Sequence, residues 1–242
     1  MTRITYTLRF RIALKLSTWV LNLLNIRLLT KRADKGLIDE LRAGYNNLPV
    51  FTGIEPEDTD KSNPLDTWKG NLNLLRENVL NSDIRSFLKW PVLRKTMVIG
   101  SEANYVFYEL SQLKKHKEWG FYKKALKEIW FGERNMYPFF LHSSAILIHQ
   151  MYQVAQFESN TAIKTKSHDC ILEFGGGYGS MCRLLRNLNF NGQYLIYDLA
   201  PFSLLQGPIS LISAGIGTLS LLLFSFSLVR YPLDIYLFFL SK

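Results

Sequence analysis

Cysteine is scarce in this chain. Only Cys170 and Cys182 occur among 242 residues, at a spacing that fits neither a metal knuckle nor a CxxC redox pair. A disulfide-built scaffold is excluded, and two structural thiols in a reducing compartment are expected. No repeat of fixed length is present, and no Gly-Lys-Ser/Thr loop for phosphate. No cleavable secretory signal is apparent either: Arg9, Arg11 and Lys15 interrupt the first apolar stretch, and no small-residue cleavage site follows 19–24. A cytoplasmic chain is the expectation. Acids are scarce at one end, where residues 1–35 carry eight basic side chains and Asp34 alone on the other side. Charge of either sign is scarce at the other end, where residues 207–242 hold only Arg230, Asp234 and Lys242.

What is present suffices for a domain with a real core, since 48% of the residues are hydrophobic. From Thr5 to about Leu29, Leu8, Ile12, Leu16, Trp19, Leu23 and Ile26 recur at helical spacing with basic residues between them. Such a basic amphipathic helix suits either an anionic membrane surface or packing on its own domain with a solvated outer face. Prolines and acids across 45–64 mark an exposed loop. Helical patterns resume at 66–80, after Ser82 up to Pro91, from Ser101 to His116, over 118–130, and along 139–157. Lysines 114, 115, 117, 123, 124 and 127, among Trp119, Phe121 and Tyr122, read either as a nucleic-acid stripe or as the wet face of helices. Glu118 and Glu128 interrupt the run, which disfavours nucleic acid as a partner.

After the polar stretch 158–167 the pattern changes. Asp169-Cys170-Ile171-Leu172-Glu173-Phe174 is a short apolar run, followed by Gly175-Gly176-Gly177-Tyr178-Gly179; residues 180–188 have helical spacing, and 193–197 form a second apolar run ended by Asp198. This is a β–glycine turn–α–β unit. Glycines there admit positive φ and close approach of a ligand, and the acid ending the second strand is placed for a ribose hydroxyl. A dinucleotide fingerprint needs a third glycine where this chain has Ser180.

Glu-x-Gly-x-Gly-x-Gly, filled by Glu173, Gly175, Gly177 and Gly179, resembles the first motif of Rossmann-like S-adenosylmethionine-dependent methyltransferases. The string LEFGGGYGSMCRLL, followed by IYDL and FSLLQ, is similar more narrowly to the sugar O-methyltransferases found with bacterial surface-polysaccharide genes, over about 170–206. The resemblance implies S-adenosyl-L-methionine as cofactor and a sugar or glycan acceptor. It implies that Gly175, Gly176, Gly177 and Gly179 underlie the methionine portion, that Glu173 sits near its ammonium, and that Asp198 binds ribose. Methyl transfer also requires removal of a proton from the acceptor. His142 and His149, seven apart on the expected helix, are the weak candidates for that base, against the commoner role of packed, hydrogen-bonded histidines; His116 and His168 have less to recommend them. No metal site is expected.

The expected fold is α/β: a helical region over 1–165, an incomplete Rossmann-like β-α-β start over 166–206, and an apolar helical tail over 207–242. The residues after Asp198 leave no room for the remaining strands, at about 30 or more residues per βαβ unit. A helix over the uncharged 207–229 would cover the roughly 30 Å of a bilayer core and anchor the chain to a membrane. The tail's composition, dominated by Leu, Ser, Phe, Ile and Tyr without alternation, points instead to a frameshift near codon 206, leaving an inactive enzyme with little cofactor affinity. An RNA methyltransferase and a non-enzymatic membrane-anchored remnant are the rival readings. Reading the DNA beyond codon 206 in its other two frames is expected to give charged, methyltransferase-like sequence; the frameshift fails if neither frame does.

Overall fold

Helical spacing of Ile38, Leu41 and Tyr45 builds the first long element, α1 (Lys35–Asn47), a helix within a stretch whose later part reads as loop. The computed structural model describes residues 15, 16, 19, 35–48, 64–99, 104–128, 132, 136–206, 221–226 and 234–237. Of the expected N-terminal amphipathic helix, only Lys15, Leu16 and Trp19 fall among these; they are helical and exposed. The chain is mixed α/β and mostly helical, with two small sheets among the described residues.

Helix α2 (Pro64–Asn81) is followed by a 3-10 turn (Ile84–Lys89), which Asp83 caps by accepting from the Arg85 amide, and by α3 (Pro91–Met97), where Pro91 stands at the first turn. Helix α4 (Asn104–Lys115) and the short α5 (Trp119–Ala125) come next. The helix expected over 118–130 stops early. The Glu128 backbone N–H donates to the carbonyl of His142, and its carboxylate is taken by Arg183 and Ser144.

The segment 139–157 is corrected more deeply. Tyr137 to Phe140 turns the chain at Pro138, so β1 (Met136–Tyr137) pairs antiparallel with β2 (Phe140–Ser144). Only then does α6 (Ala145–Thr161) begin, with the Ser144 hydroxyl accepting from the Leu147 amide at 3.4 Å. His142 therefore lies on a strand and His149 on a helix, and they share no helical face.

The second sheet has the order β3-β4-β5-β6. Strand β3 (Cys170–Phe174) leads through the glycine turn into α7 (Ser180–Asn187) and back to β4 (Gln193–Leu199) in parallel register, Cys170 opposite Gln193 and Phe174 opposite Tyr197. Residues 200–206 are helical. Two further strands follow, which corrects the expected helical tail. Strand β5 (Leu221–Phe226) pairs parallel with β4, and β6 (Asp234–Leu237) pairs antiparallel with β5. A short apolar run without periodicity fits a buried strand as readily as a helix, and the free edge of β4 supplies the pairing that decides it. The crossover alone needs only 10–12 residues or more, so 200–220 is long enough. Among the described residues no helix is long and apolar enough to cross a membrane; 207–220 and 227–233 of the expected span lie outside them. Strand β3 remains at the sheet edge, with Leu172 52% and Phe174 72% exposed.

Packing runs across residue 165. One core joins Val106, Leu110, Leu147, Ile148 and Met151 to Cys182, Leu184, Leu185, Tyr194 and Ile196. A second joins Leu41, Tyr45, Leu72, Leu75 and Leu93 to Tyr178, Phe202 and Leu205. Both cysteines are free, and Cys182 is buried, its thiol pushed up to about 12 by loss of water. Across the same joint, Arg183 of α7 donates to Glu128 at 2.6 Å, with 5% and 3% of the two side chains exposed. It also donates to the carbonyl of Lys127 at 3.1 Å. Removing one member of a buried pair strands the other charge. Arg183→Met is expected to cost about 3–5 kcal/mol in urea unfolding, and Arg183→Met with Glu128→Leu to recover most of it.

Candidate functional site

The geometry of the glycine turn follows from three left-handed backbones. Gly175, Gly177 and Gly179 have φ of 72°, 60° and 81°, values that side chains rarely tolerate. Gly176 is a glycine for another reason, since a Cβ there would lie 2.6 Å from Cγ2 of Ile196. The Gly175 amide extends the β3–β4 ladder by donating to the Tyr197 carbonyl at 2.9 Å, and Gly179 caps α7. A Cβ at Gly175 would meet nothing within 4 Å, so that face of the turn is open.

It opens into a cavity of about 690 Å³ at the C-terminal ends of β3 and β4. This is where ligands bind in open parallel sheets. Glu173, Phe174, Gly175, Gly176, Gly177, Tyr178, Ser180, Tyr197 and Asp198 form one side; Trp68 of α2, Thr96 and Met97 of α3, and Ile146 and Gln150 of α6 form the other, with Leu199 and Phe202. Thus Glu173, Gly175, Gly176, Gly177 and Asp198 converge on one space. Gly179 lies outside the lining, at the start of α7.

Two carboxylates face the cavity, and among the described residues its lining contains no lysine, arginine or histidine. Asp198 is 6% exposed and held by three donors: the Leu199 amide to Oδ1 at 2.8 Å, and the Gly177 amide and Gln206 Nε2 to Oδ2 at 3.1 and 2.7 Å. Burial raises its pKa above the ordinary value, and these donors oppose the rise. Glu173 Oε2 accepts from the Tyr194 hydroxyl at 2.9 Å. Its pKa is also raised, first by burial and further by the Asp198 charge, against the Tyr194 hydrogen bond.

Neither candidate base lines the cavity. His142 is exposed on β2, its ring edge-on to Phe140 at 5.7 Å. His149 Nδ1 lies 2.8 Å from Oε1 of the buried Glu109, Gln153 Nε2 lies 3.1 Å from its Nε2, and Tyr105 meets its ring at 5.3 Å. His149 is thus engaged in hydrogen bonds and ring packing away from the cavity. Among the described residues no group of three or more His, Cys, Asp or Glu could hold a metal ion. The far wall was invisible in the sequence, because Trp68, Met97 and Gln150 belong to no motif. Gln150 carried no signal of its own, since His149 and Gln153 are polar in the same stretch; its Nε2 donates to Ser180 Oγ at 2.8 Å.

No family model matches the chain, and no curated protein or solved structure matches it either.

A carboxylate whose folded pKa is raised contributes fully to stability below its unfolded pKa and loses that contribution as pH rises through the folded value. Glu173→Gln, which keeps an acceptor for Tyr194, is therefore expected to raise Tm at pH 7. Below the ordinary carboxylate range the gain should vanish; thermal melts at the two pH values check it.

Proposed function

We propose that the cavity binds S-adenosylmethionine through a Rossmann-like half-sheet, and that the chain is an O-methyltransferase acting on a sugar hydroxyl. The observation that carries this reading is the charge of the lining. A buried carboxylate, Asp198, and a half-buried one, Glu173, with no cation among the described lining residues, suit a ligand bearing a sulfonium and an ammonium, and they repel a pyrophosphate. The parallel order β3-β4-β5, the glycine turn opening α7, and the acid at the end of β4 support it. Ser180 supports it as well: where a dinucleotide fold needs a third glycine, this chain carries a buried hydroxyl bonded to Gln150.

For the acceptor, the far wall offers Trp68, Thr96, Met97, Ile146 and Gln150, none of them charged. That favours a neutral, hydroxyl-bearing molecule over a polyphosphate chain. Lysines 114, 115, 117, 123, 124 and 127 are all exposed, and none lines the cavity, so the RNA reading gains no support from its own stripe. Walls from α2, α3 and α6 complete the cavity despite the open edge of β3, so cofactor affinity is expected where half a sheet alone would give little.

Calorimetric titration of residues 1–242 with S-adenosylmethionine is expected to give a micromolar dissociation constant, and NAD no heat of binding. Asp198→Ala should weaken the interaction at least about tenfold, a loss of about 1.4 kcal/mol. Absence of S-adenosylmethionine binding to the folded chain would overturn the proposal, and unchanged affinity in Asp198→Ala would remove that residue from the site.

A further inference from the structure

We infer that Gln206 is a positioning residue, whose side-chain amide clamps the Asp198 carboxylate to the Gly177 peptide and so presets the turn and the acid for a ligand hydroxyl. The inference rests on the reading of the cavity as a cofactor site. Gln206 is fully buried, and one nitrogen makes both of its bonds: Nε2 donates to Asp198 Oδ2 at 2.7 Å and to the Gly177 carbonyl at 2.9 Å. The Gly177 amide donates in turn to Asp198 Oδ2 at 3.1 Å. The Gly177 peptide units are thus held on both sides of the residue, in a left-handed conformation that a free chain would leave readily.

The other half of the Gln206 amide identifies what the residue is for. Its Oε1 is buried with no partner among the described residues, and leaving such an acceptor unsatisfied is costly. A position chosen for packing alone would hold an apolar side chain, as its neighbours Phe202 and Leu205 do. The two donated bonds are what only an amide supplies here. They also set the capacity of the acid. A carboxylate has about four lone-pair sites, and three donors already engage Asp198, which leaves one for a ligand. Asp198 accordingly receives a single hydroxyl of a diol while serving as a brace for the turn.

The test compares the full chain with Gln206→Met, which keeps length and volume and removes the donors, and with Gln206→Asn, milder for the core, which withdraws the amide by one methylene. Two readouts need no ligand: hydrogen exchange of the Gly177 amide, and the pH midpoint of the Asp198 carboxyl followed by carbon NMR. Exchange should quicken at least about tenfold and the midpoint move to higher pH, because the Gln206 bond holds the Asp198 pKa down. The titratable groups coupled to Asp198, Glu173 of β3 and Tyr45 of α1, are retained in both variants, so the shift reports on Gln206. Exchange and midpoint unchanged in a folded variant would overturn the inference. S-adenosylmethionine should bind the variants at least tenfold more weakly than the unaltered chain, and equal affinity would also overturn it. Should the unaltered chain fail to bind at all, the cofactor reading falls while the exchange and titration still decide the clamp.

Discussion

A β-α-β unit cannot bury itself, and that constraint organises everything else in this structure. Helix α7 covers part of two strands, and small sheets need packing on another layer to be stable. The missing apolar surface comes from the helices before it: α4 and α6 close one core over Cys182, Leu184, Tyr194 and Ile196. Residues of α1, α2 and α3 close the other over Tyr178, Phe202 and Leu205. A division of the chain near residue 165 is real in composition and absent in packing. The cavity sits where the helical region meets the unit, so its two walls come from opposite sides of that division.

The cavity's chemistry is dominated by two carboxylates drawn out of water to different degrees, Asp198 buried and Glu173 half-buried. Burial lifts both Glu173 and Asp198 above their ordinary pKa values, and each answers with donors drawn from nearby: Tyr194 for one; Leu199, Gly177 and Gln206 for the other. A core of the same shape without those acids would be easier to fold. Their presence at the open end of a parallel sheet, with no lysine, arginine or histidine among the described lining residues, is the feature that the proposed positively charged ligand would answer.

Local chemistry was legible in the sequence where glycine and strand-ending acids impose it. The turn at 175–179, the two strands flanking it and the gathering of Glu173 and Asp198 follow from residue types at fixed spacing. Most helices of the first 130 residues followed from apolar periodicity. Failures arose where partners far along the chain decide. Leu141 to Ser144 reads as helix until β1 offers it a hairpin, and Leu221 to Phe226 reads as helix until β4 offers an edge. His142 and His149 are separated by the same event. The far wall of the cavity was illegible because Trp68, Met97 and Gln150 are adjacent to the turn only in space.

Tyr45 of α1 donates its hydroxyl to the carbonyl of Pro201, a fully buried bond between residues 156 apart. A ribosome makes the donor long before the acceptor. Until residue 201 is made, the Tyr45 hydroxyl has water rather than the Pro201 carbonyl as its partner, and Phe202, Leu204 and Leu205 are not there to cover it. Helix 200–206 therefore completes the seat of α1, which Leu72, Leu75 and Leu93 form only in part, so the native packing of that early helix depends on a contact of high sequence separation.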